Sequence, residues 1–207
     1  MQNLSKGSYD GVISYGELAK EGDFGIGTFD ALDGEMLLLE GRFYQFKSDG
    51  NVYEVEPKNK TPFAQVSFFH PDYSFSIHKP LDYPGLQEYL DVLLSDKEIF
   101  YAIKIKAKFD YLKIRSIPAQ SKPYPPLSEA IKNQVVFEAR GREGTLVGFR
   151  YPQYMNSLSA CGYHLHFISQ DHHLGGHLLA CDLRQADIQI DASNRFDMFL
   201  PKKGAEK

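Results

Sequence analysis

One stretch constrains this chain more than any other: Gly162-Tyr163-His164-Leu165-His166-Phe167-Ile168, the turn-like Ser169-Gln170-Asp171-His172-His173-Leu174-Gly175-Gly176, and then His177-Leu178-Leu179. Residues two apart on a β-strand point to one face, so His164 and His166 present their imidazoles side by side while Tyr163, Leu165 and Phe167 face the other way. Glycine tolerates positive φ, and the Gly175-Gly176 pair is expected to let the chain double back. His177 then opens an antiparallel return strand and sits across from the first two histidines. Three nitrogen ligands at about 2.0–2.1 Å with a fourth position open is the catalytic rather than the structural form of a zinc site. An isolated H-x-H is an ordinary coincidence; the third histidine, inside a strand-turn-strand frame, is what favours a metal. His172 and His173 are the rival ligands, but neighbouring loop residues do not share one face, and both are read as exposed.

The 207 residues, 43% of them hydrophobic, suffice for a packed core in one large or two small domains. With 23 basic against 27 acidic side chains and no basic cluster, the chain offers no electrostatic footprint for nucleic acid. Its negative charge also disfavours anionic membranes. Residues 1–7 lack the apolar core of a signal peptide and no later window approaches a membrane span, so a cytoplasmic protein is expected. Cys161 and Cys181 flank the histidine stretch without C-x-x-C spacing. They read as buried free thiols rather than a disulfide.

Along the chain, Ser14-Tyr15-Gly16-Glu17 fits a capping box for a short helix through Lys20. Residues 23–35 read as strand, Asp-Gly turn, strand. Hairpins follow: 36–40, a Gly41-Arg42 turn, 43–46, an Asp49-Gly50 turn, and 52–55. Another strand is expected within 63–69, and His70 and His78 lie at no ligand spacing. Behind Pro84, the residues Leu86, Tyr89, Leu90 and Leu93 predict an amphipathic helix over 84–95. Tyr101, Ile103, Ile105 and Ala107 alternate with Lys104, Lys106 and Lys108, a half-buried strand with a solvated lysine face. The alternation breaks at Phe109-Asp110, so the direction of Arg115 stays open. The proline-rich 118–126 stretch reads as an extended linker, dividing an N-terminal sheet domain (1–117) from a C-terminal one (118–207) that carries the histidines. Leu127, Ile131 and Val135 predict a second helix, 145–150 a strand, Ile188, Ile190 and 196–200 further strand, and 202–207 a disordered tail.

Several stretches together resemble the α-acetolactate decarboxylase family: Gly25-Ile26-Gly27-Thr28-Phe29 with Asp33-Gly34-Glu35, Lys60-Thr61-Pro62-Phe63-Ala64, Arg115 with Pro118-Ala119-Gln120, Val147-Gly148-Phe149, and Gly162 to Phe167 with Gly175-Gly176-His177. The likeness runs through most of the chain in order. It implies an α+β fold with two mixed or antiparallel sheet domains and a few flanking helices, forming a homodimer. It implies a zinc enzyme converting 2-acetolactate, a small 2-hydroxy-3-keto acid, to acetoin and CO2, with His164, His166 and His177 as metal ligands. Glu35 and Arg115 match active-site positions of the family, and Thr28 a site-lining one. Each also has an ordinary reading: the end of a turn, a surface charge, a strand residue. The family is expected to return an acidic residue to the metal from a C-terminal tail; the sequence ends at Lys207, and Glu206 does not match that residue.

Decarboxylation of a β-keto acid leaves an enolate, which a Lewis acid stabilises without an organic cofactor. Arg115 is then expected to hold the carboxylate or the enediolate, and Glu35 to deliver a proton to carbon. The rival readings are a zinc hydratase or hydrolase with an activated water, and a non-catalytic metal- or ligand-binding protein with the same three histidines.

Overall fold

Among the described residues, 2–157 and 162–198 of this computed structural model, the strands are β1 (Ile13–Ser14), β2 (Phe24–Thr28), β3 (Glu35–Leu39), β4 (Arg42–Phe46), β5 (Val52–Glu54), β6 (Lys60–Thr61), β7 (Ala64–Ser67), β8 (Tyr73–Ile77), β9 (Leu81–Asp82), β10 (Phe100–Ser116), β11 (Val135–Tyr151), β12 (Gly162–Ser169) and β13 (Gly175–Ser193). The helices are α1 (Gln2–Ser5), α2 (Tyr15–Leu18), α3 (Tyr83–Leu93) and α4 (Leu127–Ala130). The fold is α+β, and its ladders are antiparallel. One sheet has the order β5-β4-β3-β2-β7. The larger runs β10-β11-β12-β13-β8, with β9 beside β13, and β10 also pairs with β13, so the sheet curls back on itself.

Side-chain alternation sets the layers. On β3, Leu37 joins Phe24, Ile26 and Phe46 against Val147, Phe149 and Ile168 of the large sheet. Met36 and Leu38 point the other way, into a cluster with Tyr15 and Leu18 of α2. The opposite face of the large sheet packs Ile103, Leu112, Ile114, Leu165 and Phe167 with Leu86 and Leu90 of α3. The order is therefore α2, small sheet, large sheet, α3. Complete burial of a leucine stabilises by roughly 1.5–3 kcal/mol, and Leu86 and Leu90, both 0% exposed, fix α3 in place. Asp82 caps that helix by accepting from Gly85 N, and Pro84 sits in its first turn. The Ser14–Glu17 capping box is formed at α2.

Several local expectations are corrected. Gly175 and Gly176 do not make the turn: both already lie in β13, paired with Ile168 and Phe167, and the reversal falls at 170–174 with His172 at φ 56°. Gly175 is glycine because of close approach, since a Cβ there would lie 2.2 Å from the Phe46 ring. The first hairpin turn is Glu40-Gly41, with φ of 52° and 77°, one residue earlier than expected. The predicted second helix stops short, as α4 passes into a 3-10 turn at Ile131–Asn133 and the β-branched Val135 already pairs with Ser116. Residues 196–198 are not strand, and 199–200, the tail 202–207 and Cys161 lie outside the described residues. Cys181 is a buried free thiol, pushed up to about 12 by burial. The lysine face is solvated only in part: the Lys104 side chain is 12% exposed, 3.6 Å from Glu40. β8 was not anticipated.

Strands from both sides of the 118–126 stretch share the large sheet, for β10 pairs with both β11 and β13. The stretch itself is packed: the Tyr124 ring lies tilted against Tyr9, centroids 5.1 Å apart, and the Tyr9 hydroxyl donates to Pro125 O. Gly175→Ala should cost about 1–3 kcal/mol by overpacking Phe46, read as a lowered urea midpoint at unchanged slope. An unchanged midpoint would show that Phe46 steps aside freely.

Candidate metal centre and active site

The break in alternation at Phe109-Asp110 is a bulge. β10 pairs Phe109 with Leu183 and Arg142 but Tyr111 with Asp182 and Arg140, leaving Asp110 out of both ladders. Before it Ile103 and Ile105 enter the α3-side core; after it Leu112 and Ile114 do. The extra residue in β10 is matched by Arg184 left out on β13, so the register recovers while the faces of β10 exchange, and Arg115 points away from this core. A second irregularity, between Lys113 and Ile114, leaves Leu179 of β13 unpaired. It lets His177 turn to the same side as Arg115 while both Leu178 and Cys181 stay in the core.

The result is a row across the large sheet. Arg115 pairs with His177, His177 with His166, and His166 with Val147. His164, two residues before His166, completes the group. One nitrogen from each of His164, His166 and His177 lies within 4.8 Å of the others. His166 is fully buried, and its Nδ1 is 2.8 Å from the Met36 carbonyl, which as an acceptor fixes Nδ1 as the protonated nitrogen and frees Nε2. His164 Nδ1, His166 Nε2 and His177 Nδ1 are buried without a hydrogen-bond partner. Buried polar nitrogens are rarely left unpaired; three together form a donor set that fits a divalent ion, with a carbonyl behind one ligand as is usual for metal-bound histidine.

Electrostatics keep the set ready to bind. Burial brings His164 down to about 4, assisted by the nearby Arg115 charge, and holds His166 and His177 well below the usual range. All three rings are therefore neutral near pH 7, the form that coordinates metal.

Glu35 comes from the other sheet. It shares the Leu37 side of β3 and is 6% exposed, with Oε1 3.2 Å from Arg115 Nη1 and Oε2 3.6 Å from His166 Nε2. Burial raises its carboxyl above the ordinary range, against the opposing pull of Arg115. Gly34 immediately before it adopts φ 89° and would place a Cβ 2.3 Å from Phe46 O, so the entry to Glu35 requires glycine. Thr28 is the ladder partner of Glu35. Its hydroxyl donates to Gly34 O at 2.7 Å, so it braces the turn that delivers Glu35.

The structure thus brings together His164, His166, His177, Arg115 and Glu35, with Thr28 one step behind. His172 and His173 stay exposed on the loop, and the Nδ1 of His172 lies 3.4 Å from the Tyr44 hydroxyl. Glu206 is outside the described residues. Sequence reasoning missed the Met36 carbonyl, since a backbone acceptor leaves no residue-type signal.

A family model described as alpha-acetolactate decarboxylase matches residues 1–206. The chain belongs to that family. Its members are carboxy-lyases by name. An alpha-acetolactate decarboxylase of Methylococcus capsulatus is 48% identical over 98% of this chain and 78% of its own length. One from Methanosarcina mazei is 45% identical over 97% and 70%. The crystal structure of alpha-acetolactate decarboxylase from Bacillus subtilis strain 168 superposes with a TM-score of 0.96 at 36% identity, covering 99% of this chain and 87% of that one. No helix among the described residues is long and apolar enough to cross a membrane.

Replacing His164, His166 or His177 with alanine should each abolish stoichiometric divalent-metal binding, measured by elemental analysis after dialysis. His172→Ala and His173→Ala should leave it intact; the reverse pattern would move the centre to the loop.

Proposed function

We propose that this chain decarboxylates 2-acetolactate to acetoin and CO2 with a zinc ion held by His164, His166 and His177. What carries the reading is the set of three buried, unpartnered imidazole nitrogens beside the Glu35–Arg115 pair, in a chain of this family. Bound there, zinc would supply Lewis-acid stabilisation of the negative charge that develops as CO2 leaves.

The remaining work falls to side chains. Arg115 offers a fixed cation beside the histidines, suited to orient the substrate carboxylate and then to face the charge that develops when it departs. Its guanidinium is a planar fork already aimed into the site, so little ordering is needed when substrate arrives. Glu35 supplies the proton. Burial raises its carboxyl above the ordinary range, the direction that favours a proton donor, and the new C–H bond forms at the carbon that lost CO2. Thr28 acts through Gly34 to hold Glu35 in place. The family resemblance also supports a homodimeric, cytoplasmic enzyme acting on a small-molecule substrate.

The test is incubation with racemic 2-acetolactate and colorimetric reading of acetoin. Turnover should vanish on complete chelation and return with zinc; turnover surviving full metal removal would eliminate the ion from the mechanism. Glu35→Gln should lower kcat by about 10²–10⁴-fold and Arg115→Ala by about 10²–10³-fold, and wild-type turnover in either would void that role. A zinc hydratase or hydrolase would ignore acetolactate, and a metal-binding protein would hold zinc with no turnover at all.

A further inference from the structure

Glu35 and Arg115 meet across two different sheets, and neither strand end is held to the other by a shared ladder. Two hydrogen bonds close the gap. Ser116, next after Arg115 and 0% exposed, donates its hydroxyl to Phe46 O at 2.7 Å. Phe46 is the ladder partner of Glu35 on β4. On the other side Gly34 N, next before Glu35, donates to Ile117 O at 3.0 Å. Both bonds involve the residues just after Arg115, the Gly34 N–H is shared with Leu32 O at 2.7 Å, and the Ser116 bond is the one made by a side chain. The ring of Phe46 also lies against Gly175, two residues before His177, so Phe46 as a residue touches the strands carrying Arg115 and His177 while pairing with Glu35.

We infer that Ser116 is a positioning residue for the reaction: its hydroxyl sets the approach of Arg115 to Glu35 by tying β10 to β4. This rests on the decarboxylase reading for its kinetic consequence, though not for its geometry. Arg115 and Glu35 project from backbones belonging to independently twisted sheets, and small displacements of reacting groups are costly, with about 1 Å able to lose up to 10²-fold in rate. Substitution by alanine removes one oxygen and leaves the Phe46 carbonyl without this donor. It creates no bulk, so folding should survive.

Ser116→Ala is expected to retain zinc stoichiometry, keep KM within about twofold and lose about tenfold in kcat. Its crystal structure should show the Arg115–Glu35 contact opened beyond about 4 Å, the limit of an ion pair. In a Glu35→Gln background the same substitution should cost no further kcat, because the proton donor whose approach Ser116 sets is already lost. Unchanged kcat, a fall in kcat with the pair still closed, or a full additional loss on the Glu35→Gln background would each overturn the inference. Should the wild-type protein not turn over acetolactate, the proposed function fails, while the Arg115–Glu35 separation in Ser116→Ala still decides whether Ser116 positions the pair.

Discussion

The face-to-face packing of the five-stranded sheet on the curled large sheet is the contact on which the rest depends. Its apolar layer, from Phe24, Ile26, Leu37 and Phe46 on one side to Val147, Phe149 and Ile168 on the other, presses β3 over β12. The layer is apolar along most of its length and gives way at one end to polar groups. There Glu35 continues the Leu37 side of β3, and His166 continues the Ile168 side of β12. The site is therefore the polar end of an apolar interface, and its components stay close because the interface cannot slide without exposing the core.

Placing charge and unpaired nitrogen at such a junction opposes folding. A buried carboxylate and guanidinium lose hydration that their attraction offsets only in part, and three imidazole nitrogens lack partners. A divalent ion would satisfy those nitrogens, which makes metal binding and stability of this corner one linked equilibrium. The raised Glu35 carboxyl and the depressed histidines have the same cause, removal from water. In one case this favours holding a proton, in the other releasing it, and both directions suit the metal-assisted decarboxylation proposed for this site.

Irregular backbone does much of the aiming. The Asp110 bulge and the unpaired Leu179 exchange faces on neighbouring strands, and without them Arg115 and His177 would project into the α3-side core. The glycines at 34 and 175 allow backbone and ring to approach where a methyl group would collide with Phe46. The two bulges and Gly175 lie within the long strands β10 and β13, and Gly34 lies in the turn just before β3. A continuous period-2 ladder would have put the functional side chains on opposite faces of the sheet.

Much was legible beforehand, for reasons visible in particular residues. Period-2 alternation places His164 with His166, the capping box at Ser14 and the helix behind Pro84 are local, and a string of matched segments pointed to the family. Less legible was anything carried by backbone: the Met36 carbonyl, the turn at His172 rather than at the glycine pair, and β8. Which side chains share a strand face follows from bonds a few residues long and can be read from the residue order. That Glu35 meets Arg115 and that His177 lies between Arg115 and His166 came from the assembled fold. Those meetings depend on strand register, bulges and sheet-on-sheet packing between residues about eighty positions apart in the case of Glu35 and Arg115, and pairing at that separation leaves no periodic trace in either segment alone.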